Sequence, residues 1–187
     1  MLSSPRFWFV SIGLVIVLGL ALIIFNALIR LRNDIKRTWA NIDVLLQQRH
    51  EEVGNLVASV RDYMTYEKQL LIDITETRSR LARTRGIKDK AVQHERLHDG
   101  VEKLMATIEN YPDLKANHLV RDLMGRITEL EDLLADRREM YNHVVTRYNT
   151  MIASVPIVFL SGFMGFRGAE LFSADRRARA TPNVQLR

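Results

Sequence analysis

Cysteine is absent from all 187 residues, which removes a disulfide framework, a thiolate zinc site, an iron–sulfur cluster and a cysteine nucleophile. Proline and glycine are scarce where a β-rich fold would need them. Between Ile29 and Pro156 the only proline is Pro112, and the glycines are Gly54, Gly86, Gly100 and Gly125. So few turn residues cannot punctuate a series of strands, and helices are expected instead. Phenylalanine is missing from residues 26–158, although the chain has seven. Also missing are a nucleophile elbow, a phosphate-cradling glycine loop and a dinucleotide fingerprint, which lowers the case for phosphate enzymes and dehydrogenases. Excess charge is lacking in the middle as well: the net +5 belongs mostly to the two ends, and residues 30–165 carry only +1. The length allows one ordinary domain plus an anchor or tail.

One long apolar run is present. Nineteen of the 23 residues from Phe7 to Ile29 are apolar, none is charged, and the interruptions are Ser11, Gly13, Gly19 and Asn26. A helix rising about 1.5 Å per residue needs about 20 residues to cross a hydrocarbon core of about 30 Å. This run therefore suffices to span a bilayer, with Trp8 as an interfacial anchor. It exceeds the length of a signal-peptide core, and no small-x-small cleavage site follows it, so an uncleaved span is expected. Arg6 precedes the run, whereas Arg30, Arg32, Lys36 and Arg37 follow it. The positive-inside rule then places the amino terminus outside and the larger part of the chain in the cytoplasm, at the cell (inner) membrane. The six-residue spacing of Gly13 and Gly19 does not match a helix-dimer face.

The middle carries three apolar stripes at helical spacing. The first runs from Ile35 through Trp39, Ile42, Leu46, Val53, Leu56, Val60 and Met64 to Leu71, Ile74 and Leu81. The second is Leu97, Val101, Leu104 and Ile108. The third runs from Val120 through Leu123, Ile127, Leu130, Leu134, Tyr141, Val144 and Tyr148 to Ile152. Breaks are expected at Arg85-Gly86, at Asn110 to Asp113 and at Pro156, and Gly54 is either a bend or a corner. The expected fold is all-α: a single transmembrane helix over 7–29 after a short tail (1–6), then an antiparallel up-and-down bundle of four helical segments, coiled-coil-like in its packing, over 30–156. Residues 157–187 form an apolar, Phe-rich segment and a basic tail. The stretch Ile157–Phe166 is too short to span a bilayer. Two readings stay open for it. Phe159, Phe163 and Phe166 lie in the membrane interface, with Arg167, Arg176, Arg177 and Arg179 facing anionic headgroups, or the phenylalanines cap the bundle core.

Three blocks carry a resemblance. The first contains Trp39-Ala40-Asn41-Ile42-Asp43-Val44, Leu46, Arg49, Asn55-Leu56-Val57, Val60, Tyr63, Glu67 and Arg78. The second is Glu109-Asn110-Tyr111-Pro112-Asp113-Leu114-Lys115-Ala116-Asn117. The third holds Glu131, Arg137-Arg138, Tyr141-Asn142, Tyr148-Asn149-Thr150, Ile152 and Pro156, followed by Gly162–Phe166. Along residues 22–172 the chain resembles the LemA family. That resemblance implies a single-pass protein with an antiparallel four-helix bundle, and it implies no particular biochemical activity. The family commonly has proline where this chain has Gly54.

Two clusters compete for a chemical role. His94-Glu95-Arg96-Leu97-His98 spells the H-E-x-x-H string, in which two histidines four apart share a helix face and a glutamate activates metal-bound water. Val101 and Leu104 stand where further zinc-protease residues are required, and Arg96 and Asp99 make the helix polar. The string therefore reads as a solvated helix face, and a membrane-bound zinc hydrolase is the alternative function. Arg49, Glu67, Arg78 and Arg137 fall on or beside the stripes. They either lie along the seam with their heads in water or form one network in which Glu67 bridges arginines. Trp39, Tyr141 and Tyr148 join them as structural or interaction candidates. Tyr63, Tyr66, Tyr141 and Tyr148 lack the basic surroundings of a nucleic-acid surface and read as core or rim residues. The expected function is a non-enzymatic, membrane-anchored interaction or scaffold module with no cofactor. Its partners would be the bilayer, other copies of itself, or other membrane or cytoplasmic proteins, and not nucleic acid.

Overall fold

The computed structural model describes residues 5–173, with side chains from Trp8 onward. All regular structure among the described residues is helical, as the stripes and the scarcity of turn residues require. Helix α1 is Pro5–Val60, α2 Lys68–Arg83, α3 Ile87–Ile108, α4 Pro112–Ala116, α5 His118–Ala153 and α6 Ile157–Phe163. The fold is an all-α helical bundle. Arg6 and the arginines at 176, 177 and 179 belong to the basic ends whose side chains lie outside the described residues.

The helix ends follow from local chemistry. Gly86 is the N-cap of α3, Pro112 opens α4, where its missing N–H costs nothing, and Pro156 follows the end of α5. Asn117 ends α4 and begins α5 through Oδ1, which accepts from the backbone N–H of Leu119 at 2.9 Å. One break has no such punctuation. The chain leaves α1 after Val60 and re-enters a helix at Lys68, over a seven-residue turn without glycine or proline. Met64 is buried inside that turn, so the apolar stripe continues through the break.

Gly54 is neither corner nor interruption: α1 runs through it. Its lack of a side chain serves a close approach. A Cβ there would lie 1.6 Å from Arg78 Nη1, the atom that donates to the His50 carbonyl at 3.3 Å. No break marks residue 29 or 30 either, since the apolar run and the first bundle helix are one helix.

The chain divides into two compact units, and α1 and α5 contribute to both. The first comprises Met1–Trp39 and Tyr141–Ala169. Here α1 and the end of α5 run antiparallel, with Trp39 against Tyr141 at 5.7 Å between ring centroids and Arg32 beside Tyr148. Leu28, Leu31, Tyr148 and Phe166 form its buried cluster, with Phe25 edge-on to Phe166. Upstream of this cluster, the large apolar side chains from Trp8 to Ile23 are exposed, including Phe9 at 75% and Val10 at 72%. Covering a side chain of this kind gains about 1.5–3 kcal/mol, so a row of them bare in water is strongly unfavourable. This is the one helix among the described residues that is by itself long and apolar enough to cross a membrane.

The second unit comprises Ala40–Met140 and the segment beginning at Glu170. Its core joins Val53, Leu56 and Val60 of α1 to residues of every helix through the first part of α5, among them Leu71, Ile74, Leu104 and Leu123. The predicted stripes are buried almost throughout. In the third stripe Val145, rather than Val144, turns fully inward.

Candidate functional site

Three helices of the second unit each place a polar residue in line with their buried stripe. On α1 Arg49 stands between Leu46 and Val53, on α3 His94 precedes Leu97 and Val101, and on α5 Glu131 lies between Ile127 and Leu134. These residues meet. Arg49 Nη1 lies 3.0 Å from Glu131 Oε2 and 3.0 Å from His94 Nε2, while Nη2 is 3.5 Å from His98 Nδ1. Glu131 Oε2 is 3.5 Å from His94 Nε2 and 3.6 Å from His98 Nδ1. On the outer side His98 Nε2 lies 3.7 Å from Glu102.

Burial and charge decide the protonation states. Arg49 and His94 are almost fully enclosed, with side chains 2% and 1% exposed. A guanidinium has only donors, so the nitrogen of His94 that faces it accepts, and the ring is neutral. Burial lowers the His94 pKa from its ordinary 6.5; the Glu131 carboxylate acts the other way, and the Arg49 charge lowers it again. Burial alone would raise the Glu131 pKa, but the adjoining His94 ring and the Arg49 charge outweigh it and bring the carboxyl down to about 2. Burial also lowers the Arg49 pKa, against the pull of Glu131. Phe172 closes the site, edge-on to His94 with centroids 6.3 Å apart and its face 5.3 Å from the Arg138 guanidinium carbon.

This geometry corrects the expectation of a solvated histidine face. Arg96 and Asp99 are exposed, but His94 is a core residue. It also bears on the zinc alternative: the guanidinium of Arg49, a permanent cation, lies against both His94 Nε2 and Glu131 Oε2, the atoms a metal would need. Among the described residues no group of three or more histidine, aspartate or glutamate side chains is arranged to hold a metal ion. A cavity of about 280 Å³ opens beside the cluster, lined by Arg49, His98 and Glu131 together with Val101, Met105 and Ile127.

The predicted arginine network is only partly assembled, and its acid is a different one. Glu67 accepts from the Tyr111 hydroxyl at 2.6 Å, a bond that raises the tyrosine pKa. The acid that meets Arg49 across helices is Glu131, and a second acid, Glu52, accepts from Arg126 at 3.5 Å. Arg78 packs on Gly54, and Arg137 is half-buried on α5. Trp39 and Tyr141 pack with their rings tilted by 59° in the other unit, where the Tyr148 hydroxyl donates to the Arg167 carbonyl at 3.0 Å. Tyr63 and Tyr66 are exposed. Of the membrane-interface candidates, Trp8, Phe159 and Phe163 are exposed, and Phe166 is buried. Phe166 therefore belongs to the packed interior rather than to an interface.

Comparison with known proteins gives several relatives. Magnetosome protein MamQ 2 of Paramagnetospirillum magneticum is 25% identical over 186 residues, covering 86% of this chain and 68% of that protein. Magnetosome protein MamQ of Magnetospirillum gryphiswaldense is 23% identical with the same coverage. Protein LemA of Metamycoplasma hominis is 28% identical over 128 residues, which are 68% of this chain and 58% of that protein. The model of the LemA family matches residues 38–186, a stretch that holds the whole Arg49, His94, His98 and Glu131 cluster, and the chain belongs to that family.

Proposed function

We propose that this protein is a membrane-anchored, non-enzymatic helical module that binds other proteins, or further copies of itself, at the cytoplasmic face of the cell (inner) membrane. One observation carries the reading. Among the described residues, Arg49, His94 and Glu131 turn their polar heads on one another in the core, with Arg49 Nη1 3.0 Å from both partners, although Arg49 Nε and Glu131 Oε2 keep no hydrogen-bond partner. What remains for function is an anchor and the outer faces of the helices. The relatives' names, magnetosome protein and Protein LemA, specify no reaction. The cations that follow the apolar run favour a cytoplasmic bundle and an external amino terminus.

Two experiments test the proposal. Crosslinking in intact membranes, followed by mild-detergent extraction and mass spectrometry, is expected to recover a stoichiometric partner or a self-assembled species. A monodisperse monomer with no crosslinked partner ends the proposal. Because the chain has no cysteine, single cysteines report its orientation cleanly. Ser3→Cys is expected to react with an impermeant maleimide in intact cells, and the exposed Ala106→Cys only after the membrane is opened.

A further inference from the structure

The first unit contains two features that the bundle does not use. Helix α6 has a bare apolar face: Phe159 and Phe163, four residues apart and so on one side of the helix, are 75% and 92% exposed, and Val155 just before it is 78% exposed. Nearby lies a cleft of about 330 Å³ bordered by Arg32, Lys36 and Arg167, with Gly165 and Gly168 in its wall. All three cations are exposed, and among the described residues none has an ion-pair partner.

Their placement relative to the apolar run is fixed within this unit. Phe166, just past α6, packs edge-on to Phe25, and Ile157 of α6 joins the cluster of Leu28 and Leu31. The α6 region is thereby held at the level where the charge-free stretch of α1 ends. The last part of α5 runs antiparallel to α1, and α6 turns from α5 by 97°, so α6 runs across the α1 axis rather than along it. If α1 crosses a bilayer, a helix at this level and angle lies in the membrane plane, as an interfacial helix does. Arg32 and Lys36 follow Ile29 by three and seven residues, roughly 4–10 Å of helix rise. With about 30 Å of hydrocarbon in a bilayer of about 40–45 Å, the headgroup layer is roughly 5–7.5 Å deep on each side, so Arg32 lies within it and Lys36 just beyond, where its long side chain reaches back.

We propose that α6 is a membrane foot: Phe159 and Phe163 insert into the same leaflet where α1 emerges, and the cleft of Arg32, Lys36 and Arg167 takes the phosphate of an anionic phospholipid there. The proposal rests on the membrane-anchored reading above. The occupant is lipid because the bare phenylalanines stand on the helix whose flanks, Ile157 and Phe166, pack against the end of the apolar run of α1. It is anionic lipid because the neighbouring cleft offers three cations without partner carboxylates, each worth about 1 kcal/mol near an anionic surface.

The test uses the full chain in nanodiscs, with Trp8→Phe and Trp39→Phe removing the native tryptophans. One probe, Leu18→Trp, reports the anchor, and another, Phe163→Trp, reports the foot. Phospholipids brominated near the glycerol or near the methyl end quench them by depth. Phe163→Trp emission is expected to be roughly halved by shallow bromines when phosphatidylglycerol is present. Deep bromines should barely affect it, and the quenching should weaken in phosphatidylcholine alone. That lipid dependence should disappear in Arg32→Gln/Lys36→Gln/Arg167→Gln, whose surface substitutions should leave the far-ultraviolet circular dichroism unchanged. Equal quenching in both lipids overturns the anionic preference. Quenching of Leu18→Trp without Phe163→Trp overturns the foot and leaves the anchor standing. A blue-shifted but unquenched Phe163→Trp overturns the foot in favour of cover by a second copy. If neither probe is quenched, the anchored reading falls and the foot with it.

Discussion

Arg49 carries a permanent charge in a space where water is nearly excluded, and its partners show what that arrangement needs. Desolvation of the guanidinium is offset by one carboxylate and two imidazole nitrogens within 3.5 Å. Removing one partner leaves the other buried and uncompensated, a change that costs about 3–5 kcal/mol where such pairs are broken. Glu131→Gln in the full chain is therefore expected to lose roughly 3 kcal/mol of stability by thermal or denaturant unfolding. A loss no larger than that of an exposed control such as Glu129→Gln would mean that the cluster is not structural. The cluster also sets a pH dependence. His94 has a lowered pKa when folded, so below the unfolded value of 6.5 the unfolded state binds more protons and stability falls as pH falls. Glu131 has the same sign: its contribution is present above its unfolded value of 4.5 and is lost as pH falls towards about 2. The Arg49 and Arg138 charges act in the same direction on His94 as its burial does, and His98 and Glu102 lie on the outer side of the cluster. The melting temperature is expected to drop from pH 7 to pH 5. His94→Gln should remove most of that slope and leave the steeper acid limb.

At the scale of elements, helix identity was legible and helix pairing was not. The stripes marked the buried faces because amphipathic spacing is local, and Pro112, Pro156 and Gly86 marked ends because their constraint is local too. The turn after Val60 stayed hidden for a physical reason. It uses no special residue, and Met64 keeps the apolar period while the backbone leaves the helix. The bridge from Arg49 to Glu131 joins residues 82 apart, and nothing in their neighbourhoods selects Glu131 over Glu67. A usable signal did exist: His94, Leu97 and Val101 share one helical face, so a histidine of that string lies on the buried side. Gly54 shows the same limit, since its role is a contact with Arg78 of another helix. In a helix interior Gly→Ala gains about 0.5–1 kcal/mol. At Gly54, however, the new methyl displaces the Arg78 guanidinium and its bond to the His50 carbonyl, a loss of about 1.5 kcal/mol for a long bond to a charged donor. Gly54→Ala is expected to be net destabilising by about 0.5–1 kcal/mol, and the same change in an Arg78→Ala background to be stabilising. The sign change in a double-mutant cycle is the measurement, and additivity would show that the approach does not matter.

Over the whole molecule, charge and exposure are distributed as a membrane would require. Apolar side chains are bare from Trp8 to Ile23, the next residues carry the cations Arg30, Arg32, Lys36 and Arg37, and the second unit keeps its one buried charge cluster internally paired. Orientation then turns on the balance between Arg6, before the run, and the four cations after it. Cations close to the end of a span direct which side stays in the cytoplasm, whereas acidic residues contribute little. Replacing Arg30, Arg32, Lys36 and Arg37 with glutamine removes this bias and leaves Arg6 as the flanking cation. All four side chains are exposed, so the substitutions should not disturb packing. The expected outcome is a mixed population in which a fraction of Ala106→Cys reacts with an impermeant maleimide in intact cells, while the parent remains protected. Adding lysines before Phe7 should raise that fraction further. If Ala106→Cys stays fully protected in both variants, these cations do not set the topology. The second unit would then be held on its side by something other than charge, such as folding before the apolar run inserts.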